Sequence, residues 1–171
     1  MNQITTEVEG KLLANFSRLH FMRMQEVLKP YGMYPGQPQV IMTLMERGAL
    51  TQTQIAEAVG RRPATITVML SRLEESGLIA RDVIAEDRRC ARVTVTDKGQ
   101  ILGKKLQNNF HSMDEECFDG FSVEELNELS DFTIRMSKNL AKHLSNRKVK
   151  SMFVFFDELN NKEKTVAAKE P

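Results

Sequence analysis

Asp87, Arg88 and Arg89 stand side by side in the stretch AEDRRC, and Arg92 follows three residues after Arg89. A guanidinium is planar, permanently charged and forked, so it can bond two phosphate or carboxylate oxygens at once. A second basic group, Arg61, Arg62 and Arg72, lies in the stretch 61–72, which carries no acidic residue. The net charge is +1. The distribution of charge is therefore what points to an anionic partner such as nucleic acid, and not the total. Cys90 sits among the arginines, whose charge would favour its thiolate. It is a candidate redox group, against the plainer reading of a half-buried strand thiol with no role. Cys117, in DEECFD, is surrounded by carboxylates that oppose ionisation, and is expected to be inert.

Other chemistries lack their residues. There is no glycine-rich phosphate loop, no Ser/His/Asp or Cys/His grouping, and no carboxylate pair spaced for acid–base work, so no enzyme and no cofactor are expected. His20, His111 and His143 are scattered, and two cysteines make neither a disulfide framework nor a metal-ligand spacing. No metal site is expected. No apolar run approaches the ~18 residues that span a bilayer; the longest is MFVFF at 152–156. The start, MNQITTEVEG, lacks the basic and apolar parts of a signal peptide. A cytoplasmic protein with no membrane partner is expected. At 171 residues, 41% hydrophobic and 27% charged, the chain suits one globular domain or one subunit of an intertwined oligomer.

The elements that must position the arginines can be read from local signals. From Glu7 to Lys29, Leu12, Phe16, Leu19 and Val27 follow helical spacing, and Pro30 with Gly32 ends the run. Gln37 to Arg47 reads as a second helix with Val40, Ile41, Leu44 and Met45 inward and Gly48 as its stop. In LTQTQIAEAVG, Thr51 is an N-cap, Gln54 completes a capping box, and Leu50 and Ile55 take the positions of a hydrophobic staple. Gly60 closes that short helix. Pro63 opens another, where its missing N–H costs nothing, and Gly77 lies past its end. Two short helices joined by a tight turn make a helix-turn-helix. Leu78–Ile84 and Ala91–Thr96 alternate as strands do. Thr96 then caps a long helix with Leu102, Leu106, Phe110, Met113 and Cys117 inward. Ser122 and Glu125 form a second capping box before a helix carrying Leu126, Leu129, Thr133, Met136, Leu140 and Leu144 at coiled-coil-like spacing.

On a helical wheel the segment 63–76 gathers Ile66, Met69, Leu70 and Leu73 into one arc, which must be the core face. Ala64, Val68, Ser71, Arg72 and Glu75 point away, with Thr65 and Thr67 on the flanks. A solvated helix face would carry Lys and Glu. Small, hydroxyl and methyl-bearing side chains instead suit close approach to base edges in a major groove. The competing explanation is a small-residue face packed on another helix of the same chain, but that leaves the arginine-tipped hairpin unexplained.

Together, LTQTQIAEAVG, PATITVMLSRLEESGLIAR and EDRRCARVTVTDKG resemble the MarR family of bacterial winged helix-turn-helix transcription regulators over about residues 35–100. The last segment matches the family's Asp-x-Arg wing signature and its Val-x-x-Thr-x-x-Gly step from strand to helix. The resemblance implies a mainly α fold with a small β-wing, and N- and C-terminal helices forming an intertwined dimerisation region. The chain then reads as an N-terminal dimerisation helix (1–34), the winged helix-turn-helix (35–98) and C-terminal dimerisation helices (99–148), followed by an extension (149–171) whose polar end, NNKEKTVAAKEP, is expected to be partly disordered.

The implied function is regulation of transcription, by repression or otherwise, by a homodimer on a pseudo-palindromic site in double-stranded DNA. Arg61, Arg62, Ala64, Thr65, Thr67, Val68, Ser71 and Arg72 would face the major groove. In the wing, Asp87 would brace Arg89, Arg89 would enter the minor groove, and Arg88 and Arg92 would add contacts. Relatives commonly have a capping residue before the proline of the recognition helix; Arg62 stands there instead, which weakens the cap. Relatives also bind anionic or aromatic small molecules between the two regions. His20, Met24, Met42, Met45 and Phe110 are the candidate ligand residues here, with ordinary core filling as the competing explanation for each methionine. The family's redox sensors carry a cysteine in the first helix, and this chain has none there. The rival function is a winged-helix protein-interaction module that does not bind DNA.

Overall fold

The computed structural model describes residues 3–83 and 91–144. Asp87, Arg88, Arg89 and Cys90, with the extension 149–171, lie outside the described residues. In chain order the elements are α1 (Gln3–Leu28), a 3-10 turn (Lys29–Tyr31), α2 (Gln37–Arg47), β1 (Leu50–Thr51), α3 (Gln52–Val59) and α4 (Pro63–Glu75). Then come β2 (Ile79–Val83), β3 (Ala91–Val95), α5 (Asp97–Cys117) and α6 (Val123–Ala141). The fold is mainly helical with one small antiparallel sheet of order β1-β3-β2, a winged helix-turn-helix.

The capped helix starts at Thr51 and Ser122 are where the local signals place them. The Thr51 hydroxyl accepts from Gln54 N–H at 3.3 Å, and the Gln54 carboxamide oxygen accepts from Thr51 N–H at 2.9 Å. Ser122 and Glu125 repeat this at 3.2 and 2.8 Å. Such caps are worth ~1 kcal/mol each. Gly60 ends α3 with φ 64°, a left-handed conformation that glycine adopts without strain, so α4 can begin three residues later. β1 was not apparent in the sequence. It is two residues long and pairs Leu50 with Val93 and Thr51 with Arg92, so Thr51 closes the sheet and opens α3 at once. β2 and β3 pair from Ile79↔Val95 to Val83↔Ala91; Val93 faces the core and Arg92 faces out.

The core joins the helix-turn-helix to its supports. Val40, Ile41 and Leu44 of α2, Ile55 of α3, Ile66, Leu70 and Leu73 of α4, Leu106 of α5 and Leu28 at the end of α1 are all fully buried. Outside that core the apolar stripes have no cover among the described residues. Leu12, Phe16 and Leu19 of α1 are exposed, as are Leu129, Phe132, Met136 and Leu140 of α6, and α6 buries no residue. The helix stops at Ala141, so Leu144, expected as the last member of its stripe, lies beyond it. Near its C-terminal end α1 is tied to α5 by a bidentate pair, Arg23 Nε and Nη2 donating to Glu116 at 3.0 and 2.9 Å.

Two glycines let α5 approach its neighbours. A Cβ on Gly99 would run into the Leu78 carbonyl oxygen and come within 2.7 Å of a Val95 methyl. A Cβ on Gly103 would meet the Met45 thioether sulfur and lie 3.1 Å from an Ile41 methyl. A carbonyl held in the fold cannot yield, whereas a thioether can re-route. Gly99→Ala should therefore cost about 1–3 kcal/mol of unfolding free energy, and Gly103→Ala distinctly less; equal shifts of the urea midpoint would contradict this packing. The Arg23 guanidinium, by hydrogen bond first, holds the Glu116 carboxyl below its ordinary range. A lowered folded-state pKa gives stability that is present above the ordinary glutamate range and lost as pH falls through the depressed value. The melting-temperature gap between wild type and Glu116→Gln should accordingly close on acidification from neutrality, and a gap that widened would reverse the sign.

Candidate nucleic-acid interface

The rotation of α4 is set by Ile66, Leu70 and Leu73, which are fully buried, with Met69 packed beside them. The opposite face is thereby turned outward. Ala64, Thr65, Thr67, Val68 and Arg72 are exposed and Ser71 is half-buried. Among the described residues no helix of the same chain packs on this small-residue face: Val68 remains 54% exposed. Thr67 has a structural duty as well. Its hydroxyl donates to the Pro63 carbonyl at 3.0 Å and accepts from Gln52 Nε2 at 2.8 Å, clipping α3 to α4. Ser71 donates to the Thr67 carbonyl at 3.1 Å.

Arg61 and Arg62 are exposed ahead of α4. Arg62 occupies the N-cap position in an extended conformation and makes no side-chain cap bond, while Pro63 starts the helix. The missing cap does not displace the helix start. It leaves first-turn N–H groups without a side-chain acceptor, next to two arginines, a setting that favours phosphate.

The far end of α4 is bolted to the wing and to α5. Thr96 Oγ1 donates to the Gly77 carbonyl at 2.8 Å and accepts from Gly99 N–H at 3.1 Å. Lys98 Nζ donates to the Ser76 carbonyl at 2.8 Å. Arg81 Nε of β2 lies 2.9 Å from Glu74 Oε2, an ion pair by distance but not aligned as a hydrogen bond, and Arg81 Nη2 is buried without a hydrogen-bond partner among the described residues. Arg92 is exposed on β3, in register with Asp82. Lys98, Arg81 and Gln52 were not singled out in the sequence, since each acts on a residue that only folding brings near.

Another such residue is Tyr34, in the loop before α2. The Arg72 guanidinium lies over its ring, 4.9 Å from the centroid. Tyr34, Gln37, Ala64, Thr65, Val68, Met69 and Arg72 line a shallow hollow of about 460 Å³ on the outward face of α4. A second hollow of about 310 Å³ lies between the end of α4, the 3-10 turn and the start of α5, with Tyr31, Arg72, Lys98 and Leu102 among its walls.

The residues expected to hold a ligand are not brought together at either hollow. Met24, Met42, Met45 and Phe110 pack against the core, and His20 is exposed on α1 with its ring 6.0 Å from that of Phe16. Among the described residues no group of three or more His, Cys, Asp or Glu is placed to hold a metal ion, and no helix is long and apolar enough to cross a membrane.

Comparison with known proteins falls on this same surface. The MarR family model matches residues 33–91, from the loop before α2 to the first residue of β3. The HTH-type transcriptional repressor MdtR of Bacillus subtilis is 33% identical over 100 residues, which are 58% of this chain and 64% of that protein. The match thus spans less than two thirds of that relative. The YusO protein from Bacillus subtilis has a crystal structure that matches with a TM-score of 0.64 and 26% identity, over 80% of this chain and 96% of that one. The PcaV transcriptional regulator from Streptomyces coelicolor matches with a TM-score of 0.70 and 23% identity over 80% and 98%, a likeness of fold. Family model, relative and fold agree on the helix-turn-helix and its small sheet: over residues 33–91 this chain is similar to the MarR family.

Proposed function

We propose that this chain is a sequence-specific DNA-binding regulator of transcription, a repressor that holds a pseudo-palindromic operator as a homodimer. One observation carries the reading. The outward face of α4 is made of Ala64, Thr65, Val68 and Ser71, with Arg61 and Arg62 at one end and Arg72 at the other, on a helix whose rotation the core fixes. In a major groove, threonine and serine hydroxyls bond base edges or phosphates, and alanine, valine and threonine methyls touch the thymine methyl. Arg61 and Arg62 neutralise phosphate beside the helix start. Asp87, Arg88 and Arg89, between β2 and β3 in sequence, with Arg92 on β3, serve the adjacent minor groove: Asp87 orients, Arg89 inserts, and Arg88 holds the backbone.

The homodimer is supported by the uncovered apolar stripes of α1 and α6. Contiguous exposed apolar surface of this kind marks an interface. Two-fold symmetry would then present two α4 helices to half-sites one helical turn apart, ~34–36 Å.

Relief by a small molecule belongs to the same proposal. The hollow at the start of α5 brings the Lys98 and Arg72 side chains beside Tyr31 and Leu102, a setting for an aromatic anion, with Met24, Met42, Met45 and Phe110 packed against the core. BpsR of Bordetella bronchiseptica, whose DNA binding is regulated by 6-hydroxynicotinic acid, matches at 23% identity; the likeness is one of fold, and the effector reading rests on the hollow.

Selection from random duplexes by the purified protein should recover a symmetric site whose affinity falls steeply with salt, as phosphate contacts require. Recovery of no duplex, with no salt-dependent binding, would favour the protein-interaction module. On the selected site Arg89→Ala should weaken binding by about 1–3 kcal/mol with little change in melting temperature; unchanged affinity would remove the wing from the interface. Leu12→Asp combined with Phe16→Asp should give a monomer or an unfolded chain by sedimentation velocity, and an unchanged folded dimer would exclude α1 from the subunit contact.

A further inference from the structure

The loop ahead of α2 lies within no helix or strand, yet its backbone is held from several directions. Tyr34 N–H donates to the Gln37 carboxamide oxygen at 2.8 Å, and the Tyr34 carbonyl accepts from Gln37 N–H at 3.1 Å. Gln37 is itself buried, 5% exposed, so this closed pair is anchored in the fold. Gly36 has φ 97°, and a Cβ there would come within 2.8 Å of the Met69 methyl, which places the loop directly against α4. Tyr34 as a whole, by contrast, is 59% exposed. A rigid backbone thus carries an aromatic ring out to the same face as Ala64, Thr65 and Val68, where the Arg72 guanidinium covers it at 4.9 Å.

A guanidinium carries five N–H donors, more than one aromatic ring can engage, so an arginine over a ring keeps donors available for a phosphate or a base. A long side chain held this way is ordered before the partner arrives, and less freedom is lost on binding. Resting on the DNA-binding reading given above, we propose that Tyr34 is a positioning residue of the interface: it presents Arg72 to DNA and makes the loop before α2 part of the recognition surface beside α4 and the wing. The assignment concerns the ring alone, since the backbone hydrogen bonds are available to any residue at position 34.

The test is a double-mutant cycle on the full-length protein, using the duplex recovered by selection, with affinity measured across a salt series. Tyr34→Leu removes the aromatic face while keeping an apolar side chain at an exposed position. It should weaken binding about two- to fivefold, the range of an exposed cation–π contact, and leave the slope of log affinity against log salt unchanged, because Arg72 still reaches DNA. Tyr34→Phe keeps the ring and should bind within about twofold of wild type. Arg72→Ala should flatten the salt slope by about one. In the Arg72→Ala background, Tyr34→Leu should cause no further loss.

A Tyr34→Leu loss of equal size with and without Arg72 would overturn the assignment, because Tyr34 would then act by itself or through the fold. Wild-type affinity in Tyr34→Leu would overturn it too. In both cases the wild-type protein still binds its selected duplex, so the DNA-binding reading survives. A wild-type protein that binds no duplex brings down that reading, and this inference with it.

Discussion

Burial of Ile66, Leu70 and Leu73 fixes the rotation of α4 about its own axis, and every functional statement about this chain depends on that one constraint. Each side chain is worth roughly 1.5–3 kcal/mol when taken from water. Successive residues are turned by ~100° in a helix. A slip of one position would expose Leu70 and bring Ser71 inward, giving up apolar burial and sinking a hydroxyl. The core therefore holds Ala64, Thr65, Val68 and Arg72 outward without help from their own chemistry. That leaves those positions free to be chosen for what they meet outside, which is why their composition carries information.

The same economy governs how α4 is held at its ends. Thr51 belongs to the sheet and caps α3. Thr96 caps α5 and bonds the carbonyl of Gly77, just past α4. Lys98 reaches the Ser76 carbonyl from the first turn of α5, and Gly99 allows that turn to lie on the Leu78 backbone. The C-terminal end of α4 is thus fastened to the beginning of α5 by side chain, backbone and close packing together. A displacement of the first turn of α5 carries the end of α4 with it. The hollow lined by Lys98 and Arg72 lies at this junction, so a molecule lodged there would act on the fastening itself.

The features legible in the sequence are those whose partners lie within a few residues. Thr51 with Gln54 and Ser122 with Glu125 are three apart, and the buried stripe of α4 repeats every three or four. These follow from helix geometry alone. The features that escaped sequence reading join distant segments: Gln52 with Thr67, Tyr34 with Arg72, Lys98 with Ser76 and Arg23 with Glu116. Nothing local marks Tyr34 as half of a pair, since an aromatic residue in a proline–glycine loop is as compatible with solvent as with a stacking role. β1 escaped for another reason, being two residues that already had an explanation as a staple and a cap. The methionines show the converse. Clustered in sequence, they admitted both a pocket and core filling; Met24, Met42 and Met45 each pack against the core, as an unbranched thioether is suited to do.

The uncovered stripes of α1 and α6 bear on how the whole surface works. Phe16 is 50% exposed and Leu140 is 68% exposed, and α6 has no fully buried side chain of its own. Helices are stabilised chiefly by packing of an apolar face, so these two would gain much of their stability from a partner. If that partner is a second copy, folding and association are linked, and the stability of the chain depends on its own concentration. Arg23 and Glu116 then acquire a particular meaning. They join α1 to α5, the helix whose other end is fastened to α4, so the apolar stripe of α1 and the outward face of α4 are connected through one helix.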